Sequence, residues 1–280
     1  MNAQDAGEGA GPGAGAVPRR ERYGEVLARL AASQKSSVKA PAWTRWVNRP
    51  LGRALAAGAF LLGLTPNQIT LISAAFTFGA LAAVVLVPPT TAMAVGVSLA
   101  LLLGYAFDSA DGQLARLRGG GSPLGEWLDH VTDALKVSSV HLAVAVSWLR
   151  FWAGEHAMWV VVPLTFSVVA TTFYFALNLT HQLRRTHGQG QVHEDMAAVE
   201  EPRAAALPSL LTLPNDYGLL CLSFALLATG GVFAGVYTAL LLANGLFLVY
   251  GLATWYRELS RYPSTVWAPA STRAHVHPGE

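Results

Sequence analysis

Six long apolar segments dominate this sequence of 280 residues. A helix needs roughly 20 mostly apolar residues to cross a lipid bilayer. Segments of about that length occupy 67–86, 91–116, 124–149, 157–180, 214–230 and 232–256, of which the fifth is the shortest. Only 13% of the residues are charged, whereas an ordinary soluble domain has about 25%. We therefore expect an all-α integral membrane bundle of six transmembrane helices.

The segment before the first span has a different composition. Residues 42–62 carry Trp43, Trp46 and Arg49 among leucines and alanines, and such a mixture favours the headgroup layer of a membrane. We expect an amphipathic interfacial helix here. The chain then divides into a disordered N-terminal tail (1–22), cytoplasmic and interfacial helices (23–66), a membrane domain (67–256) and a polar C-terminal tail (257–280).

The basic residues indicate the orientation of the bundle. Nine of the 19 lysines and arginines lie in residues 1–66, and only Arg150 lies in a link on the opposite side. The positive-inside rule therefore places both termini and the longer links in the cytoplasm. The Ala- and Gly-rich composition favours a bacterial cell membrane. A net charge of +2 gives no indication of nucleic-acid binding, and the lone Cys221 excludes an intrachain disulfide.

Four aspartates flank the link between the second and third segments. Asp108 and Asp111 are spaced i, i+3, and Asp129 and Asp133 are spaced i, i+4, so each pair shares one face of its helix. Because the link is short, the two helices are predicted to be antiparallel neighbours. The four carboxylates then converge on one point.

Such a convergence requires cations. An aspartate at the centre of a bilayer costs about 2.5–3.5 kcal/mol on insertion scales, and mutual repulsion adds to that cost. Mg²⁺ prefers carboxylate oxygens and commonly shares its coordination with substrate phosphates. Carboxylates without cysteine or histidine favour Mg²⁺ or Mn²⁺ over Zn²⁺.

Small residues accompany the acidic faces. Gly112 and Ala115 each follow an aspartate by four positions, and Gly125 precedes Asp129 by four. They leave room for a ligand beside the carboxylates. Arg116 follows at the end of the helix, where its guanidinium can bind phosphate with two hydrogen bonds.

Two helix starts are also predicted. Ser122 and Pro123 have the character of an N-cap and a first helical residue for the third segment. Asn215 or Asp216 is expected to cap the fifth segment rather than to take part in chemistry.

The stretch fits the pattern D-x-x-D-G-x-x-A-R-x8-G-x3-D-x3-D at every fixed position. The eight matching residues are Asp108, Asp111, Gly112, Ala115, Arg116, Gly125, Asp129 and Asp133. This pattern resembles the signature of the CDP-alcohol phosphotransferases. The residues TPNQIT at 65–70 resemble a Pro-Asn-x-x-Thr element at the start of the first span in many members.

The resemblance implies a metal-dependent enzyme of phospholipid biosynthesis. An alcohol attacks the β-phosphorus of a CDP-linked substrate at the cytoplasmic face, and CMP leaves. Two divalent ions clamp the attacking and leaving oxygens, and members often form homodimers. The implied metal ligands are Asp108, Asp111 and Asp129, with Asp133 as a further ligand, the catalytic base, or both. The implied nucleotide-binding residues are Asp108, Gly112, Ala115 and Arg116, together with Asn67 and Thr70.

Four further residues have two readings each. His130 is a second candidate for the catalytic base, or a polar side chain that contacts a neighbouring aspartate. Lys136 either binds substrate phosphate or balances the acidic cluster. Arg184 and Arg185 either anchor the fourth span to anionic headgroups or bind a phosphorylated alcohol acceptor.

The identity of the alcohol depends on finer features. Residues 122–126, with His130 after the third aspartate, resemble the choline/ethanolamine phosphotransferase branch. Inositol-type members tend to have Ser-Thr after the third aspartate and Arg after the fourth, and neither occurs here. The chain is shorter than the eukaryotic amino-alcohol enzymes. We therefore predict CDP-diacylglycerol plus a polar alcohol, with transfer from CDP-choline or CDP-ethanolamine to diacylglycerol as the alternative.

A divalent-cation transporter is the alternative of another class. It requires a polar path across the whole membrane. Residues 91–104 and 140–149 carry no acidic group, which disfavours this reading.

Overall fold

The computed structural model describes residues 22–32, 41–152, 157–186 and 212–262. Every regular element within these residues is helical, as the apolar segments predict. The tails before residue 22 and after residue 262 lie outside the described residues.

Eight α-helices occur in the described residues. They are α1 (Tyr23–Ala32), α2 (Arg49–Leu61), α3 (Pro66–Leu86), α4 (Thr91–Leu117), α5 (Pro123–Phe151), α6 (Val161–Thr186), α7 (Tyr217–Ser223) and α8 (Gly231–Leu259). A π-helical turn, Thr44–Asn48, leads into α2. Short 3₁₀ segments cover Ala157–Val160, Leu213–Asn215 and Phe224–Thr229.

Four helices among the described residues are long and apolar enough to cross a membrane. They are Pro66–Leu86, Thr91–Leu117, Met158–Thr186 and Gly231–Leu259, and they coincide with the first, second, fourth and sixth predicted spans. The third predicted span forms α5, which has 29 residues but buries polar side chains. The fifth forms only a shorter apolar helix, Tyr217–Thr229. The fold is thus that of a helical membrane protein.

Side-chain caps fix the starts of two helices. Ser122 accepts a hydrogen bond from the backbone N–H of Gly125 at 3.0 Å, and Pro123 is the first residue of α5. Asp216 accepts one from the N–H of Gly218 at 3.1 Å and caps α7. Both predicted helix starts are confirmed. The cap on α5 fixes the residue at which the helix begins, and therefore the positions of its aspartates along the helix.

Two apolar clusters hold the helices together. The larger joins α3 to α8 and includes the fully buried Leu101, Phe224 and Tyr237. The smaller joins α1, α2, α3 and α4, and includes Leu30 and Leu114. The smaller cluster lies where α4 ends and α5 begins, which we call the aspartate end of the bundle.

Helix α2 follows the last turns of α4 at close range. Asn48 donates a hydrogen bond to the backbone oxygen of Tyr105 at 3.2 Å. A Cβ atom on Gly52 would lie 2.7 Å from Ser109 Oγ, so a larger side chain would push the helices apart. Residues before the first span therefore become part of the wall at the aspartate end.

A close contact between α3 and α4 gives a stability prediction. A Cβ atom on Gly104 would lie 2.6 Å from Thr77 Oγ1 and 3.2 Å from the backbone oxygen of Ser73. Gly104→Val is therefore expected to lower the free energy of unfolding by about 1–3 kcal/mol and to displace Asp108, one turn further on. Thermal unfolding in detergent measures the loss. Gly96→Val is the matched control on α4, because a Cβ at Gly96 meets open space; equal losses in the two variants would refute the contact.

Candidate active site

Three of the predicted aspartates meet at the aspartate end. Asp108 and Asp111 on α4 and Asp129 on α5 can each place one carboxylate oxygen within 4.8 Å of the others. Asp111 is only 6% exposed. Helix α3, rather than a direct packing of α4 on α5, contacts both helices, and their adjoining ends assemble a compact group of like charges, which we call the aspartate trio.

Helix α3 holds one member of the trio in place. Thr70 Oγ1 donates a hydrogen bond to Asp111 Oδ2 at 2.7 Å, and Thr70 is itself 3% exposed. The start of α3 is fixed by a capping box, in which Thr65 and Gln68 exchange side-chain-to-backbone hydrogen bonds. Thr70 thus orients a carboxylate of the site. This contact supplies a specific role for a residue that the sequence assigned to nucleotide binding.

The fourth aspartate has a different partner. Lys136 Nζ donates to Asp133 Oδ1 at 3.2 Å and forms an ion pair with Asp108. It also donates to Ser73 Oγ at 3.1 Å. Lys136 is 5% exposed, so the ammonium group is an internal counterion between two carboxylates. Of its two readings, the structure shows the contacts expected for charge balance.

The trio has the chemistry of a divalent-cation site. It offers carboxylate oxygens alone, which are the ligands preferred by Mg²⁺ and Mn²⁺. Three carboxylates in one partly buried place repel one another unless a cation is present. The residues therefore fit the predicted metal, and Asp108, Asp111 and Asp129 could hold it.

A pocket of about 230 Å³ opens beside the trio. Gly112 lies in its wall, and the nearest atom to a Cβ built there is Arg116 Nη1 at 3.6 Å, so the glycine leaves the space unfilled. Three predicted nucleotide-binding residues, Asn67, Thr70 and Ala115, are not in the lining. The lining residues are Arg49, Asp108, Ser109, Asp111, Gly112, Gln113, Arg116 and Asp129.

His130 faces α6 instead of the pocket. Tyr174 donates a hydrogen bond to the backbone oxygen of His130 at 2.9 Å, and its hydroxyl lies 3.4 Å from His130 Nδ1. His130 Nε2 lies 3.9 Å from Glu126. These contacts place the imidazole about two turns from the start of α5, on the side that faces α6.

The two arginines at the end of α6 form ion pairs within the protein. Arg184 binds Glu258 on α8 through Nε at 2.7 Å and Nη2 at 2.6 Å. Arg185 Nη1 lies 2.7 Å from Glu126 on α5. Arg184 thus fastens α6 to α8, and Arg185 fastens it to α5. Neither lines the pocket beside the trio.

The sequence interpretation missed several residues of the site. Ser73 contacts Lys136, while Gln113 and Arg49 line the pocket. The sequence did contain a pattern for α3. Polar residues recur at helical spacing in this apolar helix, at Thr70, Ser73 and Thr77, and all three are at most 3% exposed. This spacing could have predicted a buried polar face on α3. No local pattern marked Arg49, because its position depends on how α2 packs against α4.

Comparison with known proteins bears on both the fold and the motif. Residues 63–193 match the family model of the CDP-alcohol phosphatidyltransferases, and this segment contains the whole aspartate trio. Residues 63–193 are thus similar to the CDP-alcohol phosphatidyltransferases. The match agrees with the family that the motif predicts. The match gives no support to the cation-transporter interpretation.

Two known proteins similar to this chain are both named phosphatidylinositol phosphate synthase. A phosphatidylinositol phosphate synthase of Corynebacterium glutamicum is 38% identical over 87 residues, which are 31% of this chain and 37% of that protein. The alignment thus spans little more than a third of the relative. The phosphatidylinositol phosphate synthase of Mycobacterium tuberculosis, solved in complex with manganese and citrate, superposes with a TM-score of 0.51 at 18% identity, covering 77% of this chain and 92% of that one. The latter similarity concerns the fold alone.

Proposed function

We propose that the transferase domain moves a phosphatidyl group from CDP-diacylglycerol to a polar alcohol and releases CMP. The observation that carries this proposal is the aspartate trio beside a pocket lined by two guanidinium groups, Arg49 and Arg116. Phosphoryl transfer depends mainly on positioning and on neutralisation of charge. Both requirements are met by fixed carboxylates that bind a cation and by fixed cations that bind phosphate oxygens.

Both relatives support this choice of donor, because each is named for a phosphatidyl lipid that it makes. We do not extend their acceptor to this protein. His130 and Ala134 stand where inositol-type members tend to have Ser and Arg. The acceptor in our proposal is therefore a polar alcohol of unspecified structure.

We assign the aspartate trio to a bound Mg²⁺ or Mn²⁺. When bound, the ion supplies positive charge to phosphate oxygens of the donor. Asp111 is oriented by Thr70, and Asp108 is shared with Lys136. The manganese in the Mycobacterium tuberculosis structure supports this assignment. A second ion, which would need Asp133, stays a prediction.

The base that activates the alcohol is proposed to be Asp133. Its carboxylate lies one helical turn from Asp129, and Lys136 holds one of its oxygens.

The alternative function, transfer from CDP-choline or CDP-ethanolamine to diacylglycerol, is favoured by a different observation. Glu126, His130 and Tyr174 form a contacting polar group between α5 and α6, and in that reaction His130 would be the base.

We further propose that the bundle crosses the membrane six times. Helix α5 buries Lys136 and His141, which are 5% and 1% exposed. It turns Leu135, Leu142 and Leu149 outwards, each about half exposed. Polar residues in spanning helices face the interior of the bundle, so this distribution supports α5 as a span. The Tyr217–Thr229 segment completes the six.

The interfacial position of α2 and the cytoplasmic location of both termini belong to the same proposal. Trp46, Val47 and Leu51 form an exposed apolar strip on the helical stretch before the first span. Tryptophan is enriched where a membrane meets water. We also propose that two copies of the protein form a homodimer within the membrane.

Release of CMP by the purified protein tests the proposed function. With Mn²⁺ or Mg²⁺, we expect CMP from CDP-diacylglycerol and a panel of polar alcohols, and none after chelation of the metal. CDP-choline and CDP-ethanolamine with diacylglycerol serve as matched donors. Release of CMP from CDP-choline or CDP-ethanolamine, and not from CDP-diacylglycerol, would favour the alternative function, transfer to diacylglycerol. Release from no donor, in protein that stays monodisperse and folded, would contradict both.

A further inference from the structure

We propose that Arg49, which lies outside the matched family segment, binds the diphosphate of the CDP-linked donor together with Arg116. This inference rests on the proposed function, because it names a substrate contact in the same pocket. It assigns a binding role to α2, a helix that the sequence interpretation placed at the membrane surface.

The packing of α2 fixes Arg49 over the pocket. Gln113 Nε2 donates a hydrogen bond to the backbone oxygen of Arg49 at 3.2 Å. One residue earlier, Asn48 is 3% exposed and bonds to the backbone of Tyr105. One turn later, Gly52 packs directly on Ser109. The backbone of Arg49 is thus held on both sides, so its side chain starts from a defined point in the pocket wall.

The second guanidinium comes from the family motif. Arg116 lies one turn after Gly112 on α4, and its Nη1 lies 3.6 Å from a Cβ position built on that glycine. Its Nε is buried and has no hydrogen-bond partner among the described residues. A buried donor without an acceptor is costly. A phosphate oxygen in the pocket would supply the acceptor.

The charges of the pocket favour an anion once metal is bound. Three carboxylates and one divalent cation leave one net negative charge. The guanidiniums of Arg49 and Arg116 turn this balance into one net positive charge. Burial lowers the pKa of Arg49, and the neighbouring Arg45 lowers it further, while Tyr105 opposes the shift. An arginine remains charged in proteins, so an incoming phosphate relieves the cost of its burial.

The other arginines of this region do not line the pocket. Arg45 lies with its guanidinium 5.9 Å from the centre of the Trp46 ring. Arg29 and Arg118 both lie over Phe60, at 5.9 and 5.8 Å. Arg53 is one turn beyond Arg49 on α2. Among the described residues, Arg49 is thus the basic side chain that α2 contributes to the lining.

Binding of small probes to the full chain in detergent with Mn²⁺ tests this role. The probes are CMP, inorganic pyrophosphate and cytidine. We expect Arg49→Gln to weaken binding of CMP and pyrophosphate by about 10–100-fold, since charge-assisted hydrogen bonds to phosphate are strong. Cytidine, which has no phosphate, should bind equally to both proteins. Arg49→Lys should recover only part of the loss, because an ammonium lacks the planar fork.

Arg53→Gln is the matched control, because it removes the same charge from the same helix outside the pocket. Binding of Mn²⁺ without nucleotide, measured by electron paramagnetic resonance, reports whether the trio stays intact. Equal losses in Arg49→Gln and Arg53→Gln, or a loss that includes cytidine, would overturn the inference. So would unchanged CMP and pyrophosphate binding in Arg49→Gln.

Failure of the proposed function has a different signature. A wild-type protein that binds pyrophosphate through Arg49 but neither binds nor releases CMP would refute the transfer reaction and retain the anion site. A wild-type protein that releases CMP with Arg49→Gln unaffected would retain the reaction and refute the role of Arg49.

Discussion

Asp111→Asn is expected to reduce CMP release by about 10³-fold or more. A bound metal contributes several kcal/mol of charge stabilisation, and each 1.36 kcal/mol is a factor of ten in rate. The substitution removes one of the three charges of the aspartate trio. It keeps an oxygen that can accept the 2.7 Å hydrogen bond from Thr70, so the helix contact should survive. Initial rates of CMP release at saturating Mn²⁺ measure the effect.

The same variant should separate metal binding from folding. Without metal, Asp111→Asn should unfold at the same temperature as the wild type or higher, because one repelling charge is gone. Mn²⁺ at 100 times its dissociation constant should stabilise the wild type by about 2.7 kcal/mol and the variant far less. Glu25→Gln on α1 is the control, since this exposed carboxylate interacts locally with the N–H of Arg22. Normal turnover in Asp111→Asn would remove the metal-site argument.

Lys136→Met is expected to be the most destabilising single substitution in the site. It deletes a buried ammonium that contacts Asp108 and Asp133. Removal of one partner of a buried ion pair costs about 3–5 kcal/mol, because the remaining charge stays buried without compensation. Unfolding in detergent with metal removed by a chelator measures this loss.

A double substitution tests the cause of that loss. Asp133→Asn removes one of the uncompensated charges, so the Lys136→Met/Asp133→Asn protein should be more stable than Lys136→Met alone. The difference between the observed and additive effects gives the coupling of the two residues. A metal-free Lys136→Met protein as stable as the wild type would show that the ammonium is not the internal counterion.

The helical class of the fold could be predicted because it depends on local composition. The four candidate spans coincide with apolar segments that the sequence shows directly. The third and fifth segments are less clear for separate reasons. Helix α5 interrupts its apolar pattern with the site residues Asp129, Asp133 and Lys136. The fifth segment tightens into 3₁₀ geometry at Phe224–Thr229 and ends at Gly230, whose φ of 55° stops the helix.

The aspartates could be predicted as a site for the same kind of reason. Residues three or four apart in a helix share a face whatever surrounds the helix. The caps at Ser122 and Asp216 are equally local, because each serine or aspartate bonds to a backbone N–H two or three residues away.

The sequence by itself determined which residues can share a helix face, namely the carboxylates, and it contained a motif that resembles the CDP-alcohol phosphotransferases. Only the tertiary structure decided how that chemistry is arranged. It brought Lys136 of α5 onto Asp108 of α4, and it brought Arg49 to the pocket beside the aspartate trio. These contacts join residues on different helices, so they depend on the crossing of α3, α4 and α5 and on the packing of α2. Those geometries are set by side-chain volume at points such as Gly52 and Gly104, whose contacts lie on other helices and leave no mark in the local sequence.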